Sequence, residues 1–187
     1  GTLIIMGEAE GAIDVTGKDP NWYPIENRDG HLEIISGNII GNMWGIRLIG
    51  GTAEISGGEV RAVTDSSQTC ALLVSKAQAQ VSGNAKIISA DTAAEVYGGS
   101  LTVSEDAALS GEFGVVLFNN TQENTSDAEH AELTMTGGTI EATYGFALSG
   151  NNTQSAQCSA EITGGVLKST EDGTGIYWPM EGDLTIG

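Results

Sequence analysis

Carboxylates, histidines, hydroxyls and a few aromatic rings are the residues here with chemistry to offer, and their value depends on which of them the fold brings together. Glu33 and Glu54 occupy the same place in two copies of a repeated phrase, Leu32-Glu33-Ile34 and Ala53-Glu54-Ile55. If those copies stack as neighbouring strands, the two side chains stand about 5 Å apart. Glycoside hydrolysis needs two carboxyl groups separated by about 5–9.5 Å, so the spacing is suggestive. Later copies put Gln80, Thr102 and Thr134 in that place, however, which is the pattern of an ordinary solvated face. His31 and His130 precede copies of the phrase too far apart to share a site. Thr102, Thr134, Thr136, Thr163 and Thr185 form a threonine array of the kind that orders ice, but Glu54 and Glu161 interrupt it. No residue is therefore assigned to catalysis or to a metal. Calcium held by ladders of carboxylates is the one cofactor left open.

The elements that must position these residues are short strands in a repeat. The phrase is Leu or a small residue, a polar residue, an aliphatic one, then usually Ser or Thr and Gly. It recurs from Leu3-Ile4-Ile5 through Ala79-Gln80-Val81 and Leu133-Thr134-Met135 to Leu184-Thr185-Ile186. Successive copies lie from 21 residues (Ile34 to Ile55) to 32 residues (Val103 to Met135) apart. Alternation of period two means strand. Variable spacing around one recurring phrase means a solenoid whose loops differ in length. A corner follows each phrase, with Gly57-Gly58, Gly137-Gly138 and Gly164-Gly165 as direct repeats and Gly83-Asn84 or Glu105-Asp106 in the same place elsewhere. A short second strand comes next, as in Glu59-Val60-Arg61 and Thr139-Ile140-Glu141. The expected fold is all-β: a right-handed parallel β-helix of about seven coils, each of three short strands. An antiparallel sandwich also uses short strands and glycine turns, but does not explain why one turn phrase returns in the same order.

Third strands run from Gly45-Ile46-Arg47-Leu48-Ile49 to Gly175-Ile176-Tyr177-Trp178. Alternation puts Ile46/Leu48, Ala71/Leu73, Val115/Leu117 and Phe146/Leu148 inward. It puts Arg47/Ile49, Leu72/Val74, Glu95/Tyr97, Val116/Phe118 and Tyr177 outward, an unusually apolar and aromatic stripe for a solvent face. The stripe meets a covering loop of the same chain, an oligomer or neighbouring domain, or a glycan. In the glycan reading Tyr97, Phe118 and Tyr177 stack on sugar rings while Arg47 and Glu95 bond hydroxyls. Two polar loops leave these strands with one phrase, beginning at Asn119 and Asn151, and both asparagines join the candidate ligand set.

Composition narrows the partners. The 187 residues carry 7 Lys+Arg against 25 Asp+Glu, a formal net charge of -18. Such a field repels phosphates, so nucleic acid and anionic membrane surfaces are unsuitable partners. No apolar run is long enough to span a bilayer, so membrane insertion is not expected. Cys70 and Cys158 have no metal spacing and fall about four coils apart, roughly 19 Å at the strand spacing. That exceeds disulfide reach, so both are expected free and buried. Residues 1–187 read as one β-helix domain and a segment of a longer protein, with residues 17–30 as an excursion inserted between coils. Strand-like ends at Thr2-Leu3-Ile4-Ile5 and Leu184-Thr185-Ile186 carry no cap, so end-to-end or lateral self-association is expected.

The phrases Leu133-Thr134-Met135-Thr136-Gly137-Gly138-Thr139-Ile140 and Ala160-Glu161-Ile162-Thr163-Gly164-Gly165 resemble the pectate-lyase-like β-helix repeats of bacterial surface and adhesin-like proteins. The likeness covers roughly residues 31–187. It implies an extracellular or bacterial cell-surface location. For the lyases of that fold it implies clustered Asp with calcium and an Arg base, and for the hydrolases paired Asp with nearby His. This chain has only Arg28, Arg47 and Arg61, and no Asp-Asp dipeptide. The expected function is a non-catalytic, adhesive, glycan-binding module. A lyase or hydrolase fragment and a purely structural stalk are the alternatives.

Overall fold

The computed structural model describes residues 1–7, 12–19, 21–118, 130–150, 158–180 and 182–187. Among the described residues there are strands and turns and no helix. Every strand pair is parallel. The first-sheet strands begin with Thr2–Ile5, His31–Ile34 and Thr52–Ile55 and end with Leu184–Ile186, each in register with the next. A second sheet stacks Ala12–Asp14, Asn38–Gly41, Glu59–Ala62 and Lys86–Ser89 in order. A third runs from Ile25–Arg28 and Trp44–Ile49 to Thr174–Tyr177. The molecule is a parallel β-helix of seven coils and the first strand of an eighth. Seven steps of strand spacing give it a length of roughly 34 Å.

Period-two patterning builds the interior. Leu32, Ile34, Ile55, Val81, Leu101, Val103 and Met135 are buried in the first sheet, while the polar residues between them face out. Large and small inward side chains share one column, which runs Leu32, Ala53, Ala79, Leu101, Leu133, Ala160 up the stack. Such interdigitation fills a narrow core with aliphatic residues alone.

Corners set the phase. In each Gly-Gly pair the second glycine takes the left-handed conformation, with φ of 77° at Gly58 and 76° at Gly138. A Cβ on Gly58 would lie 2.3 Å from the Gly37 carbonyl oxygen of the coil below. Glu105 takes the same conformation without being glycine, at φ 59°, and its carboxylate accepts a bond of 2.6 Å from the Gly83 amide. In the third coil one left-handed residue suffices between third and first sheets. Lys76, at φ 54°, turns the chain inside the continuous strand Cys70–Val81. Longer connections lie between second and third strands, at residues 15–24 and 63–69.

Three expectations change in detail. The excursion foreseen over residues 17–30 ends earlier, because Ile25–Arg28 is the third strand of the first coil, pairing with Trp44–Ile49. In the third coil Leu72 and Val74 point inward and are 0% exposed, and Leu73 faces out. Simple alternation from Ala71 misses this because Cys70, Ala71 and Leu72 are buried consecutively at the corner. Phe146 stands on the outer side, stacked on Tyr177. Cys70 and Cys158 are buried and unbridged, as the coil count requires. Desolvation pushes the Cys158 thiol up to about 11 and raises Cys70 as well, so both stay protonated.

Candidate functional site

Parallel register turns the third sheet's outer face into two ladders. One runs Glu26, Arg47, Leu73, Glu95, Val116, Ser149, Tyr177, and the other Arg28, Ile49, Ser75, Tyr97, Phe118. The strands place Arg47, Glu95, Tyr97, Phe118 and Tyr177 on one face, as the sequence suggested, although Leu72 and Val74 do not belong to it. Asn119 and Asn151 lie outside the described residues.

At the lower end the charges are satisfied internally. Glu26 accepts from Arg28 Nε at 2.6 Å and from Arg47 Nη1 at 3.0 Å, and the Arg28 bond holds its carboxyl below the usual range. The Arg47 guanidinium lies 5.0 Å from the Tyr23 ring centroid, and Tyr23 packs against Trp44 at 5.5 Å. The residue 15–24 connection thus folds its Tyr23 back over this face. Arg47 is not free to bind a ligand without leaving Glu26 and Tyr23. It stands two ladder steps from Glu95, with Leu73 between them, about 10 Å at the strand spacing.

The middle of the ladder is different. Glu95 stands on the outer side between Leu73 and Val116, and Val116 is itself buried. Desolvation pushes the Glu95 carboxyl up to about 7. The Tyr97 hydroxyl donates to it, which partly offsets that rise, and the negative charge of Asp91 adds to it. Burial and the neighbouring Glu95 raise the Tyr97 phenol in turn. Asp91, at the entry to the same strand, is also raised, chiefly by burial, although Thr92 donates to it at 3.2 Å. A carboxyl poised near neutrality on an outward position is a feature of functional sites more often than of inert surfaces.

The rings are arranged in stacks along the helix. Tyr97 lies on Phe118 with centroids 4.2 Å apart and 13° between planes, and Phe146 on Tyr177 at 4.8 Å and 23°. Rings stacked on one another spend those faces internally. What each pair offers a ligand is its edges and its outermost face, and Tyr177, 47% exposed, offers the most open one.

Elsewhere the candidates stay apart. Glu33 and Glu54 are direct register partners on the first sheet, far round the coil from Glu95. His31 bonds Thr52 at 2.8 Å, and His130 bonds Ser159 at 2.9 Å and Glu132 at 3.1 Å. Arg61 is held by Glu59 at 2.7 Å. Among the described residues no three His, Cys, Asp or Glu side chains gather as a metal site. Glu26, Tyr23, Trp44 and Asp91 escaped the sequence reading. Only the bulky Trp22-Tyr23-Pro24 run signalled them, and it does not say which sheet it folds onto.

No family model, no curated protein and no solved structure matches this chain. The likeness to pectate-lyase-like surface repeats rests on the repeat phrases alone.

Proposed function

We propose that this chain is a non-catalytic carbohydrate-binding module of a secreted or surface-displayed protein, with its site on the outer face of the third sheet. The observation that carries the reading is the Glu95–Tyr97 pair. It joins a carboxyl raised to about 7 and a phenol, hydrogen-bonded to each other and set outward between Leu73, Val116 and the Phe118 ring. Sugar recognition asks for that combination of donors and acceptors beside apolar and aromatic surface. Titrating the protein against a glycan array tests it. Binding weakened at least tenfold by Tyr97→Ala and several-fold by Glu95→Gln supports the site; a panel with no ligand, or one indifferent to both substitutions, removes it.

One observation favours a second reading, polysaccharide cleavage. Glu95 lies on the strand Thr92–Val103 and Asp91 just before it; burial raises both carboxyls above the usual range, and the charge of Asp91 adds to the rise at Glu95. A general acid needs that property. Release of reducing ends or unsaturated products from polysaccharides, abolished by Glu95→Gln, would replace the binding reading with this one.

A further inference from the structure

The corner between first and second sheets carries a recess that the third-sheet site does not use. Four residues turn this corner from Ile34 to Ile39 and from Ile55 to Val60, but five do so from Val81 to Ile87. The surplus residue makes a tight turn, in which the Ala85 amide donates to the Ser82 carbonyl at 3.2 Å and Ala85 itself is buried. Beside that turn lies a recess of about 360 Å³, shared by Ile35 and Asn38 of the second coil, Gly58 and Glu59 of the third, and Asn84 and Lys86 of the fourth. Ile35 is 42% exposed and stands where later coils carry Ser or Thr, from Ser56 to Thr163. Glu59 and Lys86 are direct register partners, about 4.8 Å apart at the strand spacing, yet they form no ion pair. Glu59 turns instead to Arg61, which holds its Oε1 from Nε at 2.8 Å and from Nη2 at 2.7 Å. Neither Glu59 Oε2 nor the Lys86 ammonium has a partner among the described residues. An open carboxylate oxygen, an ammonium and an apolar wall therefore share one small space.

We propose that this recess binds a free α-amino acid with an aliphatic side chain. The ligand's ammonium goes to Glu59 Oε2, its carboxylate to Lys86 and the Asn84 amide, and its side chain lies on Ile35. One amino acid carries both charges within the span of two neighbouring strands, whereas a peptide moves them apart by roughly 3.5 Å for each added residue. A zwitterion also brings no net charge into the field of a chain carrying -18. A simple anion has no such advantage, because Glu105 and Asp106 stand one coil above Gly83 and Asn84 and repel it.

Amide NMR of the whole chain, titrated separately with leucine, 4-methylpentanoate, isoamylamine and dileucine, tests this. Leucine should shift the Gly58 and Asn84 amides and saturate in the millimolar range. It should bind about tenfold more tightly than either single-charge analogue or the dipeptide, since each of those forfeits a charge-assisted bond. Lys86→Gln and Glu59→Gln, both at outward positions of the second sheet, should each weaken leucine by about the same factor while the rest of the spectrum stays in place. Equal binding of 4-methylpentanoate and leucine would overturn the proposal and leave a plain anion site. Shifts that never saturate, that survive both substitutions, or that isoamylamine or dileucine reproduces at equal strength would each overturn it as well.

Discussion

At the scale of single residues, Glu95 couples folding to pH. Its carboxyl titrates near 7 in the folded state, above the value of about 4.3 for an unfolded chain. Between those values the folded state binds more protons than the unfolded state, so this group's contribution to stability is full at low pH and declines as pH rises toward 7 and beyond. The loss is on the order of 3–4 kcal/mol, at 1.36 kcal/mol per pH unit between those two values. Glu95→Gln keeps an acceptor for the Tyr97 hydroxyl and has nothing to ionise. Melting midpoints taken from pH 5 to pH 8 should therefore fall less steeply for the variant than for the parent. Parallel curves would mean that Glu95 is better solvated than its position between Leu73 and Val116 implies. The sequence could mark this residue as outward-facing and polar. It could not show the desolvation, because that depends on Leu73 and Val116 being stacked above and below it, a relation between residues more than 20 positions away on either side.

Elements are held in phase by their corners, and the corners differ in tolerance. Gly58 sits at φ 77°, and a Cβ there would lie 2.3 Å from the Gly37 carbonyl oxygen of the coil below. Gly58→Ala should destabilise the protein by more than about 1 kcal/mol, from left-handed strain together with a clash against backbone that cannot move aside. Gly175, in a third strand, has an ordinary φ and no atom nearer than 4.0 Å to a new Cβ. Gly175→Ala should be neutral or slightly stabilising, and urea unfolding of the two variants side by side checks the contrast. The strands of the first sheet were legible because Leu-Glu-Ile and its relatives alternate cleanly. The third strands were less so. Glycine and alanine at Gly45, Ala71 and Gly114 blur the alternation, so counting placed Leu73 inward where Leu72 is. Ile25-Glu26-Asn27-Arg28 was hidden for another reason: three of its four residues are polar, and its pairing with Trp44–Ile49 is non-local.

For the whole molecule, the outermost strands matter most. Thr2–Ile5 and Leu184–Ile186 each pair on one side only, and Leu3 and Ile186 are 50% and 62% exposed. In a preparation of these 187 residues alone, the outermost strands offer parallel edges with apolar side chains to another copy, while a net charge of -18 opposes pairing. Screening should tip the balance, so light scattering across a salt series should show association growing with ionic strength. A particle that stays monomeric in high salt at high concentration would show that charge is not what keeps the ends apart. The corners have a wider consequence for how such a molecule can change over time. Lys76 alone joins the third and first sheets of its coil, whereas residues 119–130 join the same two sheets two coils on with the ladders still in register. The connection at residues 63–69 can lengthen without touching any ladder. Insertions and grafted peptides are thus accommodated at two edges of the rod, second-to-third and third-to-first, where new segments can be displayed at fixed heights while the spacing of the rod itself is preserved.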